Sequence, residues 1–283
     1  MTNNDNQQIK AKQFHKLHHS GKMLVLPNIW DSLGAVLLES LQYPAIATAS
    51  ASMAFTNGYN DGENLPFNDF LTLLTKITKS VAIPVTADIE SGYASGDKQL
   101  EENIKQFIST GIVGINIEDS DKATNTLIPT EIQCNKIRLI KSVSAKMGIS
   151  LFINVRTDVY IHGEEFETAE SKLEETIKRG LAYKSAGADC FYPIVMRQEQ
   201  DIKKTIEQLQ MPINILTLPG IPELSTLNKM GVARVSLGPS FLKIAIRAMK
   251  DIAVKLKNYE GLPEITKNEI TSDYLKDLVN KNY

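Results

Sequence analysis

The sequence predicts an α/β protein of one domain, a (β/α)8 TIM barrel with a C-terminal helical tail. Three observations predict it. Eight short apolar, β-branched runs recur with room for a helix between them, as a parallel sheet buried on both faces requires. Four helix-like stretches end in glycine (Gly111, Gly148, Gly187 and Gly231) directly before the next run, a repeated helix stop and strand start. Eight strands in roughly 240 residues match the usual length of such a barrel. The main rival, a doubly wound open sheet, wants a GxGxxG after its first strand, and none is there.

The eight runs are 24–28 (LVLPN), 45–49 (AIATA), 84–88 (PVTAD), 113–118 (VGINIE), 151–156 (LFINVR), 189–193 (DCFYP), 213–217 (INILT) and 233–237 (ARVSL). Apolar residues at helical spacing predict helices over 31–41, 68–79, 99–110, 130–147, 171–186 and 223–230. Asp31 or Ser32 caps the first of these. Turn-rich polar stretches at 57–66 and 120–130 read as loops. Residues 1–255 form the barrel. Residues 256–283 form a polar tail with a helix near 270–279, either packed on a neighbouring subunit or lying as a surface helix.

The formal net charge of −2 leaves no electrostatic footprint for nucleic acid or an anionic membrane. No apolar run approaches a membrane span, and the start, 1–8, is polar and unlike a signal peptide. Two cysteines, Cys134 and Cys190, make no disulfide framework. A cytoplasmic protein without nucleic-acid or membrane partners is expected. Cys190 is expected to pack inside its strand. His162 reads as a surface residue, and His15, His18 and His19 as solvated residues of an N-terminal helix.

Barrel enzymes place chemistry where strands end and βα loops begin. Here those ends are acidic. The third run ends Asp88-Ile89-Glu90, the fourth Glu118-Asp119, and the loop after the second carries Asp61-Gly62-Glu63. Acids converging on one mouth repel unless a cation neutralises them. An oxygen-only set selects a hard metal, Mg²⁺ with Mn²⁺ as the alternative. Arg156 ends the fifth run and suits bidentate capture of a substrate carboxylate; the alternative is a salt bridge to Glu118 or Asp158. Ser50 and Ala51 follow the second run and suit an oxyanion. Asn214 in the seventh run joins the substrate-binding candidates.

The pieces Asn28-Ile29-Trp30-Asp31, Thr48-Ala49-Ser50, Asp61-Gly62-Glu63, Thr86 to Tyr93, Gly114 to Asp119 and Asn154 to Asp158 together resemble the isocitrate lyase/phosphoenolpyruvate mutase superfamily. The resemblance covers roughly residues 12 to 255. It implies a (β/α)8 barrel, often with its last helix swapped between subunits, so a homodimer or homotetramer is expected. It implies an Mg²⁺ cluster of Asp88, Glu90 and Glu118, acting partly through water. It places Asp61 near the metal, Ser50 and Ala51 at the substrate's carboxylate or 2-oxo group, and Arg156 on the substrate. The metal then chelates a 2-oxo carboxylate and stabilises the enolate formed on bond cleavage.

Two departures narrow the reading. The isocitrate and methylisocitrate lyases carry a KKCGH-like stretch after the fourth strand, with Cys as acid/base. Here that loop reads Ser120 to Leu127 without Cys. It is more similar to the gate of the phosphonate mutases, which makes Lys122 a catalytic candidate and Asn125 a substrate contact. Where relatives place a His or Glu after the sixth strand, this chain has Ile194. The sequence resembles the carboxyphosphonoenolpyruvate phosphonomutase-like subgroup. The expected activity is Mg²⁺-dependent C–C cleavage of a small 2-oxo or 2-hydroxy carboxylic acid. The alternatives are a P–C bond enzyme (phosphonomutase or phosphonopyruvate hydrolase) and a barrel that binds an acid metabolite without turning it over.

Overall fold

The computed structural model describes residues 3–283. Met1 and Thr2, part of the polar start, lie outside the described residues. The first predicted strand is split by Pro27, which has no N–H for a ladder, into β1 (Leu24–Leu26) and β2 (Asn28–Ile29). The other barrel strands are β3 (Ile46–Thr48), β4 (Val85–Asp88), β5 (Gly114–Glu118), β8 (Phe152–Thr157), β9 (Cys190–Pro193), β10 (Asn214–Leu216) and β11 (Arg234–Ser236). All pair in parallel in the order β2-β3-β4-β5-β8-β9 and β10-β11-β1. A bridge between Phe191 and Ile213 joins the two sets, and the break at Pro27 joins them on the other side, so the barrel closes. All eight predicted strands are present. The loop after β5 is not plain coil: β6 (Ser120–Asp121) and β7 (Thr126–Leu127) pair in it as a small antiparallel hairpin.

The helices are α1 (Asn3–His18), α2 (Ser32–Ser40), α3 (Ser50–Thr56), α4 (Phe67–Ser80), α5 (Asp97–Ser109), α6 (Thr130–Lys146), α7 (Ala169–Ala186), α8 (Glu199–Leu209), α9 (Leu224–Lys229), α10 (Ser240–Lys257), α11 (Leu262–Thr266) and α12 (Ser272–Asn280). Asp31 caps α2 as expected, its Oδ1 accepting from the Gly34 N–H at 2.7 Å. Sequence analysis leaves α3, α8, α10 and α11 unassigned. Among the described residues no helix is long and apolar enough to cross a membrane.

The N-terminal ends of the strands are closed by α1. Phe14 is wholly buried and meets Phe152, the first residue of β8, edge to face at 5.2 Å between centroids. This approach needs Gly114 at the start of β5, where a Cβ would stand 3.0 Å from the Phe14 ring and 3.2 Å from the Phe152 carbonyl oxygen. The expectation that His18 is solvated is wrong: it is buried and stacks on Phe152 at 4.1 Å. Three residues of separation keep it on the same face of the helix as His15, the face that meets the barrel, where the His15 ring also lies 4.9 Å from Phe152. Its Nδ1 bonds the Phe14 carbonyl at 2.9 Å, and burial pushes its pKa down to about 3.

At the other end of the chain, α10 buries only Leu242 among its residues and leaves Ile244, Ile246, Met249 and Val254 more than half exposed. α12 returns to α2 of the same chain. Leu278 is buried there, and Lys281 and Tyr283 reach the Glu39 carboxylate at 3.1 and 3.0 Å.

Candidate active site

Strand register builds the site. Asp88, the last residue of β4, stands opposite Asn116 of β5, which stands opposite Asn154 of β8. The Asn154 amide donates to Asn116 Oδ1 at 2.7 Å, and the Asn116 amide donates to Asp88 Oδ1 at 2.9 Å. The Ser50 hydroxyl donates to Asp88 Oδ2 at 2.8 Å. The carboxylate is therefore fixed by Asn116 of β5, backed by Asn154 of β8, and by Ser50. Ser50 and Ala51 do not continue a strand: they open α3, whose N-terminus has no side-chain cap.

Beyond β4 the chain is bent through left-handed backbone at Glu90 (φ 53°), Gly92 (φ 108°) and Tyr93 (φ 53°). For Glu90 and Tyr93 this costs on the order of 1 kcal/mol each, so something must hold it. Glu63 does. Its Oε1 accepts from the Ser91 N–H at 3.0 Å, the Ser91 hydroxyl at 2.6 Å and the Tyr93 N–H at 2.9 Å. Its own N–H donates to Glu90 Oε2 at 2.8 Å. Sequence reasoning chose Asp61 from the same loop and missed Glu63. The two acids beside Gly62 were the available signal. Asp61 itself is exposed at the rim, and desolvation with the nearby Asp88 charge raises its pKa.

Glu90 and Glu118 are 3% and 1% exposed, a costly burial for two acids. Two cations answer it. The Lys122 ammonium, carried in by the β6–β7 hairpin, bridges Glu90 Oε2 at 3.1 Å and Glu118 Oε1. Arg156 Nη1 meets Glu118 Oε2 at 2.8 Å. Burial pushes the Glu90 pKa up to about 7 even with Lys122 opposing, and raises Glu118 against the pull of Arg156. Burial alone would lower the Lys122 pKa, but Glu118 and Glu90 outweigh it and hold it above its usual value.

The guanidinium of Arg156 is engaged on all sides. Its Nε and Nη2 donate to the Asp158 carboxylate at 2.5 and 3.0 Å, while Nη1 holds Glu118. Asp119, expected in the acidic mouth, points to the opposite side of its strand. It accepts from Thr157, Tyr183 and Arg179 at 2.7, 2.7 and 3.0 Å in the wall behind β5. Alternation along a strand explains why neighbours Glu118 and Asp119 part company. Asn125 lies exposed in the hairpin turn at φ 52° and makes no side-chain hydrogen bond to the cluster. Asn214 is wholly buried and accepts from the Ser236 hydroxyl at 3.0 Å. His162 is not a plain surface residue: its Nε2 stands 3.5 Å from the Ser120 hydroxyl, which donates to Asp158. Ile194 is buried, and so is Cys190.

Two spaces flank the cluster. An inner cavity of ≈ 40 Å³ is lined by Asp88, Asn116, Tyr192 and Arg234 among others. A wider pocket of ≈ 470 Å³ lies on the hairpin side, lined by Glu63, Tyr93, Lys122 and Lys136 among others. Among the described residues no three His, Cys, Asp or Glu side chains already stand as a metal-ligand group. The donor set nevertheless fits a hard cation: two buried acids grip an ammonium near a third acid, which marks a place where positive charge is stabilised.

The sequence matches the family described as phosphoenolpyruvate phosphomutase over residues 14–257. An uncharacterized protein of Mycobacterium tuberculosis is 30% identical over 250 residues, covering 88% of this chain and 91% of that protein. A crystal structure from Burkholderia cenocepacia, assigned only provisionally as a phosphonomutase, is 32% identical with a TM-score of 0.82, covering 89% and 99% of the two chains. The 2,3-dimethylmalate lyase of Eubacterium barkeri is 22% identical over 276 residues, 95% of this chain and 93% of the enzyme. A phosphonopyruvate hydrolase solved with oxalate and Mg²⁺ shares the fold at 20% identity, with a TM-score of 0.83 and coverage of 96% and 95%.

Proposed function

From the premise that this chain belongs to the phosphoenolpyruvate phosphomutase family, we propose that it is a Mg²⁺-dependent lyase or decarboxylase. It cleaves a C–C bond beside the 2-oxo or 2-hydroxy carboxylate of a small acid. One observation carries this reading: Glu90 and Glu118 are buried around a cationic centre close to a third acid, Asp88, whose carboxylate is pre-oriented by Ser50 and Asn116. Asp88, Glu90 and Glu118 would hold the ion, partly through water. Bound there, Mg²⁺ would act as a Lewis acid on the 2-oxo acid and stabilise the enolate that bond cleavage leaves.

The chain's own residues do the rest. Glu63 keeps the bent segment from Glu90 to Tyr93 in place. Arg156 balances Glu118 and Asp158 and can re-pair with an incoming carboxylate. Lys122, carried on the hairpin, holds its proton through Glu118 and Glu90 and lines the wider pocket, from which it would face a bound acid. Asp61 guards the rim. Asn214 supports the barrel interior through Ser236. The exposed apolar face of α10 supports a homodimer or homotetramer in which that helix is covered by a second copy.

A P–C bond reaction is the second reading, favoured by the Lys122 hairpin in the position of a gate. Incubation with a panel of 2-oxo and 2-hydroxy dicarboxylates, with Mg²⁺ or with EDTA, tests the first. Release of a 2-oxo acid that EDTA abolishes is the expected result, and turnover indifferent to chelation excludes it. Phosphorus NMR on phosphonopyruvate separates the second reading from the first.

A further inference from the structure

The barrel interior carries a second guanidinium that the reading above does not use. Arg234 is 2% exposed and lines the inner cavity together with Asp88. Its Nε donates to the Ser236 hydroxyl at 3.0 Å, but its Nη1 has no hydrogen-bond partner. Among the described residues no carboxylate forms an ion pair with it. Beside it the Asn214 amide nitrogen is likewise buried and unpartnered, while Asn214 Oδ1 takes the Ser236 hydroxyl. A buried, unpaired guanidinium costs several kcal/mol unless something satisfies it. Arg156 shows the contrast: each of its three guanidinium nitrogens has a carboxylate partner in Glu118 or Asp158. Unlike Arg156, Arg234 thus keeps a buried donor free for an anion.

We propose that Arg234 forms an anion subsite in the inner cavity that receives a carboxylate group of the bound acid, with the unpartnered Asn214 amide opposite it on the neighbouring strand. The cavity of ≈ 40 Å³ has room for a carboxylate, since a single water needs about 10–15 Å³ by such a measure. The subsite deepens the proposed function, and its identification of the ligand as the substrate's carboxylate rests on that reading. Its anion-binding property does not, because the unpaired donors are present whether or not a cation sits among Asp88, Glu90 and Glu118. An acid held at Asp88 lies in the cavity Arg234 lines, so Arg234 would read a carboxylate from inside the barrel while the hairpin covers the opposite side.

The test uses the full chain with EDTA present and [¹³C]formate, the smallest carboxylate, as probe. Line broadening of formate by the wild type is expected, with affinity reduced at least roughly tenfold in Arg234→Met and partly recovered in Arg234→Lys. Arg234→Met replaces an unpaired buried charge by an apolar chain of similar length and should fold. Arg234→Gln serves the same comparison if it does not. Equal broadening by wild type and the neutral variants, or none by the wild type, overturns the subsite and leaves Arg234 as an internal counter-charge for Asp88. Mn²⁺ binding, followed by electron paramagnetic resonance, is read separately. Its absence from the wild type sinks the metal reading without touching the formate result.

Discussion

At the N-terminal end of the barrel His18 is stripped of water against Phe14 and Phe152. At the C-terminal end Glu90 and Glu118 are stripped of water against Lys122 and Arg156. The same desolvation is resolved in opposite ways. His18 gives up its charge, with its pKa pushed down to about 3. The acids keep company with cations that the chain brings in from a hairpin and a neighbouring strand. A neutral histidine packed among aromatic rings contributes to stability. A charged end whose groups are held by left-handed backbone and by Glu63 stores interaction energy that a ligand can draw on. This is the division of labour expected of the two ends of such a barrel.

Three substitutions sharpen or break that division. Asp88→Ala should lower turnover by roughly 10³-fold and abolish Mn²⁺ binding, while calorimetry shows little change in melting temperature. A collapse of the fold instead would make Asp88 a structural residue. Phe14→Ala should cost about 3–5 kcal/mol of stability by denaturant unfolding, with Mn²⁺ affinity of the folded fraction unchanged. Loss of the mouth's properties together with the base would show that the two ends are not independent. The smallest effect is a pH dependence. The folded pKa of His18, about 3, lies below its unfolded value of about 6.5, so on acidification the unfolded chain takes up the proton first. The associated stability is fully present above about pH 6.5 and is lost as the pH falls toward 3, at up to about 1.4 kcal/mol per pH unit. Melting curves of wild type and His18→Phe between pH 7 and 5 check it. The variant should lose less stability, and parallel losses would place the acid sensitivity elsewhere.

The barrel was legible because its strands repeat one local pattern: apolar runs at 113–118, 151–156 and 189–193, each preceded by a glycine helix stop. Period and punctuation are properties of neighbouring residues, so they survive without coordinates. The short helix α3 was not legible: seven residues from Ser50 to Thr56 are too few to show a period. The apolar residues of α10 do keep a helical period; what the sequence could not show is that the helix's own chain leaves that face uncovered. In the candidate site, Asp88, Glu90 and Glu118 were legible from their places at strand ends, and Lys122 only through the resemblance of its loop to the gate of the phosphonate mutases. Glu63 and Arg234 were not. Glu63 acts on backbone N–H groups 28 and 30 residues away. Arg234 sits two residues before the end of its strand, where only the closing of the barrel shows which way it faces.

What the sequence by itself determined is the order of elements, the closure into eight βα units and the acidic character of one end, since each depends on spacing and residue type along the chain. Only the tertiary structure decided which acids share the mouth, that Asp119 turns into the wall, that His18 is buried, and that Arg156 is occupied while Arg234 is not. Those outcomes depend on strand register and on which groups meet across the barrel. Pairing energies and desolvation act through space, between residues that the linear chain leaves far apart.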